Sequence, residues 1–162
     1  MFPPRFAPIL QEMEPLAALF REAGHRLFLV GGSVRDLFIG DSDAGTDLSL
    51  IDFDATTTAT PDQIKKIVQP VADALWTQGE RFGTIGLKIG ERTYEITTHR
   101  AEAYSPDSRK PEVQFATDIE TDLSRRDFTI NAMALELTTD TPVLVDPFGG
   151  LADLMARVLR TP

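Results

Sequence analysis

Cysteine is absent from the chain, which excludes disulfides and thiolate metal sites. With only two histidines, a zinc site is not expected either. Long apolar runs are missing as well. None approaches the roughly 18 residues needed to span a bilayer, and no signal-peptide pattern opens the chain. The expectation is a cytoplasmic protein with no membrane contact. Positive charge is in short supply: 16 Lys and Arg stand against 25 Asp and Glu, a formal charge of −9. A domain whose main task is gripping nucleic acid is usually basic, because affinity comes largely from neutralised phosphates. Either this chain does not bind nucleic acid, or the grip lies in a small local patch or in another domain. Internal repeats and low-complexity tracts are lacking too.

What is present suffices for one domain with a real core: 162 residues, 42% apolar and 25% charged. Leu16, Leu19 and Phe20 share a helix face behind Pro15 at a first-turn position, with Gly24 as the C-terminal cap. Leu27-Phe28-Leu29-Val30 is a short continuous apolar run, the pattern of a buried strand. It leads into Gly31-Gly32, and Ser33 is expected to cap a short helix to about Phe38. A polar loop fills Gly40 to Thr46, then a second strand is expected from Leu48 to Ala55. Thr60-Pro61-Asp62-Gln63 has the cap, first-turn proline and reciprocal glutamine of a helix start. Ile64, Ile67, Val68, Val71 and Leu75 then form an apolar face, with Pro70 expected to end or kink the helix. Thr84 to Ile89 and Thr93 to Arg100 alternate around Gly90-Glu91 as a hairpin. Ala101 to Pro111 reads as a mobile polar loop. Ile130 to Leu137 is apolar but fits helix or strand. A final helix carries Leu151, Leu154, Met155, Val158 and Leu159. The sum is an α/β (α+β) domain around a small mixed sheet flanked by helices.

Three groups of residues carry chemistry. Asp52 and Asp54 are two apart on a strand, so both carboxylates leave one face while Phe53 turns to the core. Mg²⁺ prefers oxygen ligands and is commonly held by one or two carboxylates plus substrate phosphates. Two such acids can hold two ions about 4 Å apart. An isolated Asp-x-Asp is more often an exposed strand end, but Glu95 on the following hairpin offers the third acid that a two-metal site needs. Gly31-Gly32 sits at a strand-to-helix junction, where a backbone without Cβ atoms can approach phosphate and the next helix offers its first N–H groups. Arg35 adds a charge-assisted fork near that mouth. The pattern is not the Gly-x-Gly-x-x-Gly of a dinucleotide fold. Arg125-Arg126-Asp127 is either a solvated face or, before its buried run, a contact for triphosphate or ribose. Arg109 and Lys110 read as solvated coil or as a polynucleotide contact.

Taken in order, these stretches resemble one family. Leu29-Val30-Gly31-Gly32-Ser33-Val34-Arg35-Asp36, Asp52-Phe53-Asp54-Ala55-Thr56 and Ala59-Thr60-Pro61 come first. Arg81-Phe82-Gly83-Thr84, Tyr94 to Arg100, Arg125 to Ala134 and Asp146 to Gly150 follow. Together they resemble the head domain of class II tRNA nucleotidyltransferases and bacterial poly(A) polymerases, within the polymerase-β-like nucleotidyltransferases. The resemblance covers residues 25–162 and leaves 1–24 as an N-terminal helical segment. It implies that Asp52 and Asp54 are the Mg²⁺ ligands and Glu95 the third catalytic acid. It implies that Gly31, Gly32, Ser33, Arg35 and Asp36 form the phosphate-binding segment. Arg126 would help bind the nucleotide, with Asp127 and Asn131 near its sugar. Residues 100–111 would match a flexible loop that helps switch between CTP and ATP. The implied reaction adds CMP and AMP from those triphosphates to the 3′ end of tRNA by two-metal phosphoryl transfer.

Two departures stand out. The spacer from Gly40 to Asp52 is longer than the family's usual link and contains Asp47-Leu48-Ser49, a rival for the metal pair. Asp52 and Asp54 are preferred because they lead directly into the Ala-Thr-Pro helix start. The chain also stops at Pro162, without the neck, body and tail that carry base selection and the main tRNA grip. An excised head is favoured over a naturally minimal protein, with weak nucleotide binding and poor base discrimination expected of it alone. Poly(A) addition, CC-only or A-only addition, an Asp-x-Asp glycosyltransferase and a non-catalytic nucleotide-binding module are the alternatives.

Overall fold

The computed structural model describes residues 4, 6–39, 53–103 and 112–162. The spacer with Asp47-Leu48-Ser49, Asp52 itself and the Arg109-Lys110 stretch lie outside the described residues. The elements run α1 (Phe6–Glu22), β1 (Leu27–Val30), α2 (Gly32–Ile39), β2 (Phe53–Thr57), α3 (Pro61–Val68), β3 (Ala74–Trp76), β4 (Thr84–Ile89) and β5 (Arg92–Thr98). They continue with β6 (Arg100–Ala103), β7 (Glu112–Phe115), α4 (Ile119–Ser124), β8 (Ala134–Glu136), β9 (Val143–Val145) and α5 (Gly150–Ala156). Among the described residues, seven strands form one sheet in the order β3-β4-β5-β2-β1-β8-β9, and β6 pairs β7 separately. Only the β2–β5 pairing is parallel within that sheet; the other neighbours are antiparallel. The mixed sheet with flanking helices is the expected fold class.

The apolar run of β1 is explained by burial on both faces. Leu27 and Leu29 join Phe53, Ala55, Ile85, Leu87, Tyr94 and Ile96 beneath α1 and α3. Phe28 and Val30 enter a second cluster with Ile119 and Leu123 of α4. A strand covered on both sides needs no polar alternation. From α1, the buried Phe6, Ile9, Met13, Leu16 and Phe20 form the helical stripe that seals the first face. Arg92 of β5 fastens that helix through a two-pronged contact with Glu12, 2.9 and 3.1 Å, while lying 4.6 Å over the Phe53 ring. At α3, Thr60 accepts from the Gln63 N–H and the Gln63 side chain accepts from the Thr60 N–H, completing the expected capping box.

Several sequence expectations change. Pro15 lies inside α1, on its exposed side, rather than at its first turn. There the missing N–H costs a helix bond but no buried acceptor. Gly24 does end the helix region, at φ +79°, with the His25 N–H reaching the Phe20 carbonyl. Ser33 is inside the first turn of α2 and does not cap it. The second strand, expected from Leu48, is described from Phe53 to Thr57. Helix α3 ends at Val68, and Leu75 belongs to the short strand β3. Pro70 explains the stop: Gln69 before it keeps helical dihedrals, φ −50° and ψ −42°, but the proline has no N–H to add to the helix ladder. Residues 101–103, expected as loop, pair with 112–114 as strands. Ile130 to Leu137 divides into a 3-10 turn, Thr129–Asn131, and β8. Helix α5 ends at Ala156, so Val158 and Leu159 lie beyond it. No described helix is long and apolar enough to cross a membrane.

Helix α5 rests directly on the 3-10 turn. A Cβ added to Gly150 would collide with the Thr129 carbonyl, and Asp153 accepts the Thr129 hydroxyl. Gly150→Ala is therefore expected to lower unfolding free energy by about 1–3 kcal/mol, the usual scale for overpacking. Urea denaturation should show an earlier midpoint at unchanged slope; a parent-like midpoint would contradict the packing described.

Candidate active site

The parallel pairing of β2 and β5 brings two acids side by side. In its register Phe53 faces Tyr94, Asp54 faces Glu95 and Ala55 faces Ile96. Phe53, Tyr94, Ala55 and Ile96 are buried, whereas Asp54 and Glu95 are exposed. Alternation therefore places both carboxylates on the open face, one strand spacing apart, about 4.8 Å between backbones. The Asp54 N–H donates to Ser33 Oγ at 3.2 Å, tying the acid-bearing strand to the first turn of α2. Thr84 and Thr97 share a hydroxyl contact of 2.8 Å beside Glu95. A cleft of about 180 Å³ has Asp54, Glu95, Thr84, Arg100, Arg125 and Arg126 in its walls.

On the other flank, β1 turns into α2 through Gly31 at φ +66°, a conformation that favours glycine. A Cβ on Gly31 would lie 3.2 Å from a terminal nitrogen of Arg126. The absent side chain thus lets that guanidinium lie against the bend. The Gly31 N–H donates to the Met133 carbonyl, so its amide serves the fold, and its own carbonyl accepts from Val34 and Arg35. Gly32 and Ser33 open the helix, where N–H groups have no intrahelical acceptor. Arg35 donates to Asn131 Oδ1 at 2.6 Å and to Asp36 at 3.0 Å. Asn131 in turn donates to Asp127 at 3.1 Å. This bond, with the Phe128 N–H, holds the Asp127 carboxyl below the usual range. Arg35, Asp36, Arg126, Asp127 and Asn131 thus gather at one mouth. Among the described residues no group of three His, Cys, Asp or Glu is placed to hold a metal. The described oxygen donors number two, Asp54 and Glu95, and Asp52 lies outside.

The decisive residue missed in the sequence is Asp122. It is fully buried, and its carboxylate meets Arg126 at 3.0 Å, Arg125 at 3.5 Å and the Arg100 N–H at 2.8 Å. One buried charge therefore orients two guanidinium groups and the start of β6. The signal was present: Asp122 stands three and four residues before the arginines, the spacing of neighbours on a helix surface. Nε of Arg125 and of Arg126 are buried with no acceptor among the described residues. His99 was also underread. It is fully buried, 5.6 Å from the Phe28 ring centre, with Nδ1 2.7 Å from Thr56 Oγ1. Because that hydroxyl donates to the Thr97 carbonyl, it receives a proton from Nδ1. Burial lowers the His99 pKa from its ordinary value, against the opposing pull of Asp122 and Asp118.

Sheet order, parallel strand pair and glycine-to-helix junction together define the class, a nucleotidyltransferase-type head domain. Residues 27–160 match the family described as Poly A polymerase head domain, and the chain belongs to that family. It is 43% identical to the CCA-adding enzyme of Bacillus subtilis over 91% of this chain and 34% of that enzyme. With the Lactobacillus helveticus CCA-adding enzyme it shares 38% identity over 94% of this chain and 33% of the other. The solved Bacillus stearothermophilus CCA-adding enzyme in complex with CTP superposes with a TM-score of 0.73 at 30% identity. That match covers 98% of this chain and 34% of the enzyme. The Thermotoga maritima CCA-adding enzyme complexed with tRNA gives 0.71 at 29% identity, covering 95% and 32%. The chain thus spans about a third of the length of the curated relatives it matches.

Two measurements test these charge arrangements. Asp122→Asn keeps the shape but removes the charge between two arginines, so stability should fall by about 1–3 kcal/mol, the cost of an unsatisfied buried group. A parent-like denaturation midpoint would refute the anchoring role. For His99, the unfolded chain binds the proton more readily than the folded one, so stability falls as pH drops below about 6.5. The difference in unfolding free energy between the parent and His99→Phe should therefore change through that range, and a pH-independent difference would contradict it.

Proposed function

We propose that this chain is the catalytic head of a template-independent RNA nucleotidyltransferase, adding CMP and AMP from CTP and ATP to the 3′ end of tRNA. The observation that carries this reading is the shared register of Asp54 and Glu95 beside the Gly31 bend and Arg126. Relatives named CCA-adding enzymes, and solved neighbours in complex with CTP, ATP or tRNA, support the choice of reaction. The family description alone would equally suit polyadenylation; the names of the relatives favour CCA addition. The proposed compartment is the cytoplasm.

In this reading Asp54 and Asp52 hold Mg²⁺, and Glu95 is the third acid. An all-oxygen donor set suits that ion and suits no soft metal. Bound there, Mg²⁺ supplies Lewis-acid charge for attack on the α-phosphate and for departure of pyrophosphate. The remaining work falls to the chain. The N–H groups of Gly32 and Ser33 form the positive end of α2 and donate to phosphate oxygens. Arg35 and Arg126 neutralise the triphosphate with their guanidinium charge. Asp36 orients Arg35 through their 3.0 Å contact. Asp127 and Asn131, already bonded to each other, are the polar pair assigned to the ribose. Ser33 fixes the height of the Asp54 backbone relative to that phosphate mouth.

Primer extension tests the proposal, using tRNA that lacks its 3′ terminus and each nucleoside triphosphate in turn. Asp54→Asn should reduce addition about 100-fold or more, the scale for losing a principal electrostatic group in the transition state. Thermal unfolding should change little, since Asp54 is exposed. Equal turnover of variant and parent, or consumption of UDP-sugars in place of nucleotide addition, would overturn the assignment.

A further inference from the structure

The open sheet face has two sides around its acids. Trp76 pairs with Gly86, Gly86 with Glu95, and Glu95 with Asp54, so these four residues form one row across β3, β4, β5 and β2. The phosphate mouth built from Gly31, Arg35 and Arg126 lies beyond Asp54, on the β1 side of the row. The other side runs from Glu95 over Gly86 to Trp76. There a trough of about 350 Å³ is lined by Trp76, Gln78, Thr84, Gly86, Thr93 and Glu95. It shares Thr84 and Glu95 with the cleft that holds Asp54.

We propose that this trough seats the 3′-terminal nucleotide of the RNA acceptor, with its base stacked on the Trp76 indole. The inference rests on the transferase reading above and adds the acceptor's subsite. Phosphoryl transfer is an in-line displacement, so attacking and leaving oxygens stand on opposite sides of the phosphorus. With pyrophosphate departing on the β1 side, the attacking hydroxyl must arrive from the β4 and β3 side. Trp76 stands two strand spacings from Glu95, about 10 Å, a separation that one nucleotide bridges from its 3′-hydroxyl to its base. Gly86 makes the space. A Cβ there would lie 3.2 Å from Trp76 Cε3, so the glycine lets the indole lie flat across β4 and a larger residue would push the ring from its place in the trough wall. Trp76 packs across Gly86 yet remains 38% exposed on the edge strand, so part of the indole is open to a ligand in the trough. Stacking also suits the chemistry. The terminal base of the acceptor changes after every addition, and an aromatic face accepts each base where a hydrogen-bonding pocket would select one.

Trp76 is the sole tryptophan, so its fluorescence reports this trough alone. The full chain is titrated with a short single-stranded RNA bearing a free 3′-hydroxyl, and separately with CTP and ATP. Saturable quenching is expected with RNA and little with either triphosphate. Gly86→Val retains the fluorophore but displaces the indole from the trough wall, and should abolish quenching by RNA. In primer extension, Trp76→Ala should raise the KM for acceptor RNA about tenfold or more, the loss expected for one base–aromatic stack. The KM for CTP should stay unchanged, and Trp76→Phe should recover much of the loss. Absence of quenching by RNA, equal quenching by CTP alone, or a parent-like acceptor KM in Trp76→Ala would overturn the proposal. RNA quenching without nucleotide addition would uphold the subsite and remove the transferase reading; addition without quenching would do the reverse.

Discussion

One parallel strand pair governs the rest of this molecule. Between β2 and β5 the register sets Asp54 opposite Glu95, and a slip of β2 by one residue would turn Asp54 into the core and Phe53 out of it. The apolar partners prevent that slip. Phe53, Ala55, Tyr94 and Ile96 alternate with the acids and are sealed by α1 and α3, so the register that buries them also presents the carboxylates. Like charges side by side repel. The hydrophobic face therefore stabilises an arrangement that the polar face alone would oppose, which is the usual condition of a site built to receive cations.

Cationic groups near those acids are held by separate means. Net charge is −9, yet Arg35, Arg100, Arg125 and Arg126 all approach one cleft or its mouth. Asp122 makes this possible. Buried beneath the cluster, it holds two of the guanidinium groups in place from below. A buried carboxylate without partners would carry a large desolvation penalty, and the arginines offset it. The positive patch is thus local and fixed, and the surrounding acidic surface discourages a polyanion from settling elsewhere on the domain. The sequence leaves three alternatives for nucleic acid: no binding, a small local patch, or a grip in another domain. The arginine cluster is a local positive patch, and its position beside Asp54 and Glu95 is where the second alternative would act.

Much of this was legible before any coordinates. Alternation along Thr84–Ile89 and the following strand identified the hairpin, because side chains on a half-buried sheet keep a period of two. Thr60-Pro61-Asp62-Gln63 marked a helix start through purely local bonding. Gly31 was readable as a bend because a strand pattern ran straight into it. Illegible parts depended on partners distant in sequence. Leu75 looked like the end of a helical stripe, and only pairing with Leu87 makes it a strand. Residues 101–103 looked like coil, and pairing with a segment beyond a long insertion makes them a strand. Pro15 was placed at a helix start by its local preference, yet tertiary burial of Phe6, Ile9 and Met13 extends the helix upstream of it. Asp122 is the mixed case: its spacing to the arginines was visible, but its burial was not.

The row from Trp76 to Asp54 shows how a sheet sorts chemistry laterally. Neighbouring strands differ in what they offer at the same height: an indole, a bare backbone, then two carboxylates. Beyond them come the β1 bend with its arginines. Nothing in the pairing itself distinguishes these positions, since backbone bonds are alike along the row. Side-chain identity alone makes one end suitable for flat, uncharged rings and the other for polyphosphate. In the proposed reading, a substrate laid across the strands is therefore oriented by chemistry rather than by shape. Reversing it would press charged oxygens on the indole and carry them away from the arginines, a costly exchange in a partly desolvated cleft.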